Sequence, residues 1–240
     1  MEPITAEGKC VFCDGLYADT DIARHLGSHL KKMADASAKR KMLHLSVKSE
    51  PHFLHLLVAE TTTFEDLDDF LRDIWLECCG HLSGFRIGDR QVTLDAIRDD
   101  FFGNDDDIDF DESIDQYVKK GTKMTYDYDY GSTTRLEIKV MNIYAIPRSE
   151  VAEDFVLLSR NEPLKLRCEV CERKPGEVVC ILLHEEASLF CAACAKQHEK
   201  ECEDFADYAA LPLVNSPRTG VCAYEGGSID QERDGIWTGE

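Results

Sequence analysis

No run of about 18 apolar residues occurs in this chain, so no helix of membrane-spanning length is expected. The opening MEPITAEGKC lacks a basic region followed by an apolar stretch, and no export signal is expected. Positive charge is also scarce: 27 Lys and Arg stand against 47 Asp and Glu, a formal net charge of −20. Such a surface repels a polyanion over most of its extent. The eleven cysteines are an odd number. Without an export signal the expected compartment is the reducing cytoplasm, where thiols bind metal rather than pair as disulfides. No recognisable nucleophile motif is present either. What remains is a cytoplasmic metalloprotein, and its 43% hydrophobic content is ample for a core.

The cysteines that are there cluster in Cys168–Cys202. Cys168-x-x-Cys171 and Cys191-x-x-Cys194 are separated by 19 residues, close to the spacing of a double-knuckle zinc site. Each pair places two thiolates on one tight turn, spanning an edge of a metal tetrahedron with bonds of about 2.3 Å. Other ligand types interleave, with Cys180 and His184 between the pairs and His198 and Cys202 after them. Assigned alternately, Cys168/Cys171/Cys191/Cys194 and Cys180/His184/His198/Cys202 make a cross-braced module with two structural zinc ions. The spacing resembles that of MYND-type cross-braced fingers, which implies protein–protein binding. Beyond it, the turn-rich NSPRTG and apolar VCAY suggest a tail docked on the module, where Cys222 is an alternative ligand.

A third zinc site opens the chain. Cys10-x-x-Cys13 is followed after eleven residues by His25-x-x-x-His29, one residue short of the common two-Cys two-His finger. The histidines fall at i and i+4 on one helical face, Asp19 or Thr20 can cap that helix, and Tyr17, Ile22 and Leu26 supply a small core. A unit of this size needs metal to fold. Counting back from His25, the positions that read bases in DNA-binding fingers are Ala18, Asp21 and Arg24. Ala and Asp there suit base readout poorly. Charge points the other way. Arg24, Lys31, Lys32, Lys39, Arg40, Lys41 and Lys48 face only Asp35 between residues 24 and 48. Residues 1–48 are therefore expected to be a finger with a basic helical extension. That extension is either a backbone contact for nucleic acid or a solvated helix and linker.

Between the zinc modules, residues 49–160 predict an α+β domain. HFLHLLVAE (residues 52–60) has the composition of a buried strand, and TTTFEDLDDFLRDIWLECC that of a helix. Thr62 and Glu65 form a capping-box pattern. Cys78 and Cys79 are read as core thiols rather than ligands, and Gly80 as the helix stop. The acidic DDFFGNDDDIDFDESID (99–115) places Asp105, Asp107 and Asp109 like the first ligands of a calcium loop. Phe110 and Gln116 replace the Gly and Glu that such a loop needs, and a solvated loop with a short turn is expected. KMTYDYDYG and TTRLEIKVMNIYAI alternate with period two around Gly131-Ser132, a hairpin pattern. It sets Met124, Tyr126, Tyr128 and Tyr130 on one face and Asp127 and Asp129 on the other.

FEDLDDFLRDIWLECCGHLSGFRI followed by GTKMTYDYDYGSTTRLEIKV resembles the plasmid pRiA4b ORF-3-like family, in its helix–strand element (Phe64–Phe85) and tyrosine-rich strand (Met124–Gly131). The resemblance spans roughly residues 50–145. It extends to versions of the family with an N-terminal Cys/His finger, a C-terminal cysteine-rich module and an LPxVNSPRxGVCGY ending, here Leu211–Tyr224 with Ala223 in place of Gly. It implies a central α+β domain with an antiparallel sheet and a mobile-element setting. The family pattern has a second Cys-x-x-Cys near Cys180; Leu183 stands where that thiol would be, with His184 nearest.

Three functions are in play. The first is a non-enzymatic zinc adaptor (residues 161–240 as the cysteine-rich module) that engages another macromolecule, foremost a protein. The second is a nucleic-acid-associated protein anchored through residues 24–48. The third is a hydrolase using His81 with Asp127 and Asp129.

Overall fold

The chain starts as a small hairpin, Glu7–Lys9 (β1) against Leu16–Ala18 (β2), followed by a helix, Asp19–Met33 (α1). Ile22, Leu26 and Leu30 recur every four residues along α1 and are all fully buried. No side chain caps this helix: Ala18 is the N-cap, and the Asp19 carboxylate instead pairs with Lys48. The computed structural model describes residues 5–93, 107–182 and 188–228.

The expected basic extension of α1 is not helical. The helix stops at Met33, and Lys41–Ser49 (β3) is a strand whose Met42 to Val47 are buried. The apolar residues of KMLHLSV fit a strand buried on both faces, a pattern that outweighs the helix propensity of its lysine. β3 pairs antiparallel with His52–Ala59 (β4) on one side and Thr134–Ala145 (β9) on the other. The strands between are Ser83–Ile87 (β5), Arg90–Thr93 (β6), Ile108–Asp109 (β7) and Lys123–Tyr128 (β8), and Phe155–Arg160 (β10) follows. The eight-stranded sheet runs β10-β4-β3-β9-β8-β5-β6-β7, antiparallel except for β6 and β7. The β8–β9 hairpin forms as expected, with Tyr128 opposite Thr134. Tyr130 departs from its predicted face: the strand ends at Tyr128, Asp129 turns to φ +63°, and Tyr130 is exposed. Part of the acidic block lies outside the described residues; its end forms β7 and a short 3-10 turn at Ile114–Gln116.

Phe64–Leu71 (α2) begins with a reciprocal cap one residue later than expected. Thr63 N donates to Asp66 (2.9 Å), and Asp66 N donates to the Thr63 hydroxyl (3.1 Å). Phe64 packs on Phe85, and Phe85 on Tyr126. Asp68 is buried beneath the helix, where it accepts hydrogen bonds of 2.6 Å from both Ser83 Oγ and Tyr126 Oη.

These elements belong to two units. One comprises the chain up to Phe70 with Leu82–Glu162; the other comprises Leu71–His81 with the chain from Pro163 onward. The β1–β2–α1 segment therefore belongs to the same unit as the large sheet. Val11 N donates to Leu158 O (3.0 Å), Glu162 N to Glu7 O (2.7 Å), and Gly8 bridges Asn161. A Cβ on Gly8 would lie 2.6 Å from Ser159 Oγ and 2.8 Å from the Phe53 ring, so only glycine permits this approach.

In the second unit, Arg72–Leu76 forms a π-helical turn with Ile74, Trp75 and Leu76 buried. The helix predicted through Cys79 thus ends at Leu76. Val178–Cys180 (β11) lies between Leu189–Phe190 (β12) and Ala210–Pro212 (β13) in a small sheet. Ala192–His198 (α3) follows β12. Among the described residues no helix is long and apolar enough to cross a membrane.

Two predictions follow from the large unit. Tyr126→Phe removes a donor from the buried Asp68 and should lower unfolding stability by about 1–3 kcal/mol in a denaturant titration; a change of only a few tenths would show that this hydrogen bond carries no net weight. The second concerns acid. His44 Nε2 lies 3.1 Å from His55 Nδ1, and burial pushes His44 down to about 4 and His55 well below its ordinary value. The folded state holds these rings neutral while the unfolded chain protonates them near 6.5. Their contribution is complete above that pH and is lost as pH falls toward 4. A shift like that of His44 corresponds to on the order of 3 kcal/mol. The loss of stability between pH 6.5 and 4 should be shallower in His44→Gln than in the parent chain, and equal slopes would refute the assignment.

Candidate metal centres

Two of the three Cys-x-x-Cys pairs fold as knuckles, and the third lies at the start of a helix. At the first, Cys10 N donates to Gly15 O and Asp14 N to Cys10 O, both 2.9 Å, with Asp14 at φ +57°. This turn aims Cys10 and Cys13 at α1, where His25 and His29 lie one turn apart. Cys13 Sγ is 3.2 Å from His25 Nε2, and the two Nε2 atoms are 3.2 Å apart. Tyr17 stacks on His25 at 3.8 Å between centroids, and Phe12 borders His29. Among the described residues, Cys10, Cys13, His25 and His29 form one of four groups whose ligand atoms lie within 4.8 Å of one another.

The second knuckle has the same design. Glu172 N donates to Cys168 O (2.9 Å), with Glu172 at φ +54°. Cys191 is the N-cap of α3, and one turn on the helix presents Cys194. Cys168, Cys171, Cys191 and Cys194 meet, with Cys171 Sγ 3.9 Å from Cys191 Sγ. A tetrahedron with metal–sulfur bonds of about 2.3 Å has edges of about 3.8 Å. The thiols differ without a metal. The backbone N–H groups of Arg173 and Lys174 draw Cys171 down to about 6, whereas burial, helped by the Cys191 and Cys168 sulfurs, pushes Cys194 up to about 12. A bound dication would ionise them all.

The interleaved ligands also converge. Cys180 on β11, His198 at the end of α3 and Cys202 form the third group. His184 lies outside the described residues. The His198 ring is stacked on Phe190 (4.4 Å) with Phe205 edge-on (5.0 Å), which fixes its plane. Cys180, Phe190, Ala195, Cys202 and Phe205 share one small core. Seven of the eight ligands of the alternate assignment therefore fall into its two groups, His184 being the one outside the described residues.

A fourth group was missed in the sequence. Cys78, Cys79, His81 and Cys222 bring their ligand atoms together. Cys79 is exposed and Cys78 half-buried, so they are not core thiols, and Cys222 joins them instead of the Cys180 group. The local signal was a Cys-Cys-x-His string, but its partner lies 143 residues away.

The carboxylates proposed for hydrolysis are engaged in local structure. Asp127 receives two hydrogen bonds from Arg135 (2.6 and 2.7 Å), and Asp129 accepts from Gly131 N (2.9 Å). The residues proposed to contact nucleic acid divide. Arg40 bonds Asp154 and the carbonyls of Val151 and Glu153; Arg24 pairs with Asp21 (2.5 Å) and Lys41 with Glu60 (3.4 Å). Lys31, Lys32 and Lys39 are exposed.

The sequence model of the plasmid pRiA4b ORF-3-like protein family matches residues 42–161. A similar solved structure is that of MM3350 from Methanosarcina mazei Go1, titled a protein of unknown function. It is 18% identical, with a TM-score of 0.40, over 49% of this chain and 67% of that one. No curated protein matches.

Cys10→Ser should remove one equivalent of bound metal and leave the other centres filled, since its cluster lies in a separate unit. Cys191→Ser should also loosen the Cys180 group, because Phe190 and Ala195 serve both. Metal analysis of the purified variants checks this, and a Cys191→Ser chain that lost a single equivalent would show the two centres to be independent.

Proposed function

The chain belongs to the plasmid pRiA4b ORF-3-like family, and on that premise we propose that it is a non-enzymatic zinc-binding adaptor whose C-terminal module receives a partner protein. Zinc is the ion that suits sites of thiolate and imidazole in a tetrahedron. The Cys10 and Cys168 groups each supply four ligands, which leaves no open position for a substrate and suits a structural ion. The family's plasmid name suggests a mobile-element setting.

The observation that carries the reading is a groove of about 570 Å³ beside α3. Its apolar lining comes from Phe205, Leu211 and Pro212, and Lys196, Glu199 and Asp207 supply charge of both signs. Tyr208 borders it with 57% of its surface exposed. Val170, between the ligands of the Cys168 knuckle, is 56% exposed. Apolar side chains held on metal-braced turns are surfaces of fixed shape, as protein recognition requires. Charge of mixed sign suits a peptide better than a polyanion.

A second reading, association with nucleic acid, has its own support. Lys48, Arg86, Lys123 and Lys139 line a cavity of about 570 Å³ near the start of α1, and Lys31, Lys32 and Lys39 are exposed. Asp19 and Glu137 share that lining, and the chain is acidic overall.

The zinc-loaded full chain, used as bait in its own cell lysate, should recover a protein that Tyr208→Ala and Lys196→Glu reduce at least tenfold with zinc content unchanged. Both residues line the groove, and neither is itself a ligand. Equal recovery by both, with salt-sensitive nucleic-acid binding lost in a Lys31/Lys32/Lys39→Glu triple variant, would replace the adaptor reading with the second.

A further inference from the structure

The fourth cluster lies outside the three centres that the adaptor reading uses, and it is built rather than incidental. On one side the segment after Trp75 is tied into a tight turn. Arg72 donates to Glu77 Oε2 (2.6 Å) and to His81 O (2.7 Å), while Glu77 Oε1 accepts from Gly80 N (2.5 Å). Gly80 sits at φ +72°, a conformation that favours glycine. The turn projects Cys78, Cys79 and His81 to one point.

On the other side the tail is anchored to the same segment. Ser216 Oγ donates to Trp75 O (2.6 Å), and Arg218 N donates to Ser216 Oγ (2.9 Å). Val221 N donates to Arg218 O (3.0 Å), and Tyr224 N to Val221 O (3.2 Å). This series of turns delivers Cys222 at φ +57°, a left-handed conformation uncommon for a residue with a Cβ. Strain of that kind persists where the surroundings hold a side chain in a required place.

The spacing is that of a coordination sphere. Cys79 Sγ is 3.6 Å from Cys78 Sγ, 3.5 Å from Cys222 Sγ and 3.0 Å from His81 Nε2; Cys222 Sγ is 3.6 Å from the same nitrogen. A disulfide would bring two sulfurs to about 2.05 Å, whereas the edges of a zinc tetrahedron are about 3.8 Å between sulfurs. Charge also balances. Three thiolates around a dication leave a net charge of −1, and the buried Arg218 places Nη2 3.5 Å from Cys78 Sγ. A cationic donor against a ligating sulfur is the usual outer-shell partner of such a site.

We infer that Cys78, Cys79, His81 and Cys222 form a further zinc site that clips the Leu71–His81 segment to the C-terminal tail. Three of its ligands sit on one turn, and Cys222 closes the site from 143 residues away.

The zinc-loaded full chain provides the test. Elemental analysis should find one equivalent fewer in Cys222→Ser than in the parent. A parallel Cys10→Ser sample, which should lose a different equivalent, separates this result from failure of the other centres. Should Cys222→Ser fail to fold, alkylation of the parent chain decides. Cys79 and Cys222 are the exposed thiols of this group and would react first with N-ethylmaleimide if bare. Bound to zinc they should react at least tenfold more slowly until a chelator is added, and should then label fully on denaturation without reductant. Immediate labelling overturns the site, as does a Cys79–Cys222 disulfide that stays unlabelled on denaturation, and as does an unchanged zinc content in a folded Cys222→Ser chain.

Discussion

The second unit depends on what draws its cysteines and histidines together. Its small sheet has strands of two or three residues, and α3 has seven. The core around Val178 and Phe190 includes two cysteines, Cys180 and Cys202, that also belong to a ligand group. Apolar burial on that scale rarely offsets the ordering of this many turn residues. Under the zinc reading, coordination replaces the missing core, and each element serves to place a ligand. The β12–α3 junction sets Cys191 and Cys194, and the far end of α3 sets His198. Crossing the two ligand sets places both centres on one helix, so neither can be lost without loosening the other's neighbours.

The first unit is built on a different constraint. β3 is hydrogen-bonded along both edges, to β4 and to β9, and residues 42–47 are buried. The β1–β2–α1 segment is docked on this sheet through Val11, Glu7 and Gly8, and the apolar face of α1 is buried. A segment held in this way differs from a finger on a flexible linker. Its helix cannot choose a groove independently of the sheet, and the cut at residue 48 that the sequence suggests would divide β3. The charge of the region changes meaning for the same reason. Arg40, Lys41 and Lys48 lie close in sequence to Lys31, Lys32 and Lys39, but the first three meet carboxylates of the fold.

What could be read in the sequence was local. The Cys-x-x-Cys knuckles, the two histidines at helical spacing, the β8–β9 hairpin and the α+β character all rest on patterns a few residues long. Errors arose where a distant strand decided the matter. Propensity alone extends α1 through Lys41, but pairing with β4 and β9 makes 41–49 a strand. Thr62 and Thr63 offer nearly the same cap, and Asp66 rather than Glu65 meets the turn. Cys222 could not be placed, because the sequence shows its own turn but not the turn that it meets.

That asymmetry bears on how the fourth cluster would work. Cys78, Cys79 and His81 sit within four residues, held by Arg72 and Glu77, so most of the geometry exists before the tail arrives. Closing a loop of 143 residues costs only slowly more entropy than closing a short one, since the dependence on length is logarithmic. The last ligand can therefore come from far along the chain without prohibitive cost, provided that the tail docks in one way. Ser216 on the Trp75 carbonyl and Arg218 beside Cys78 specify that docking through contacts that do not involve Cys222. A metal seated there would report on the tail: a change that lifts residues 216–224 removes one ligand and an outer-shell cation together, leaving three ligands on an exposed turn.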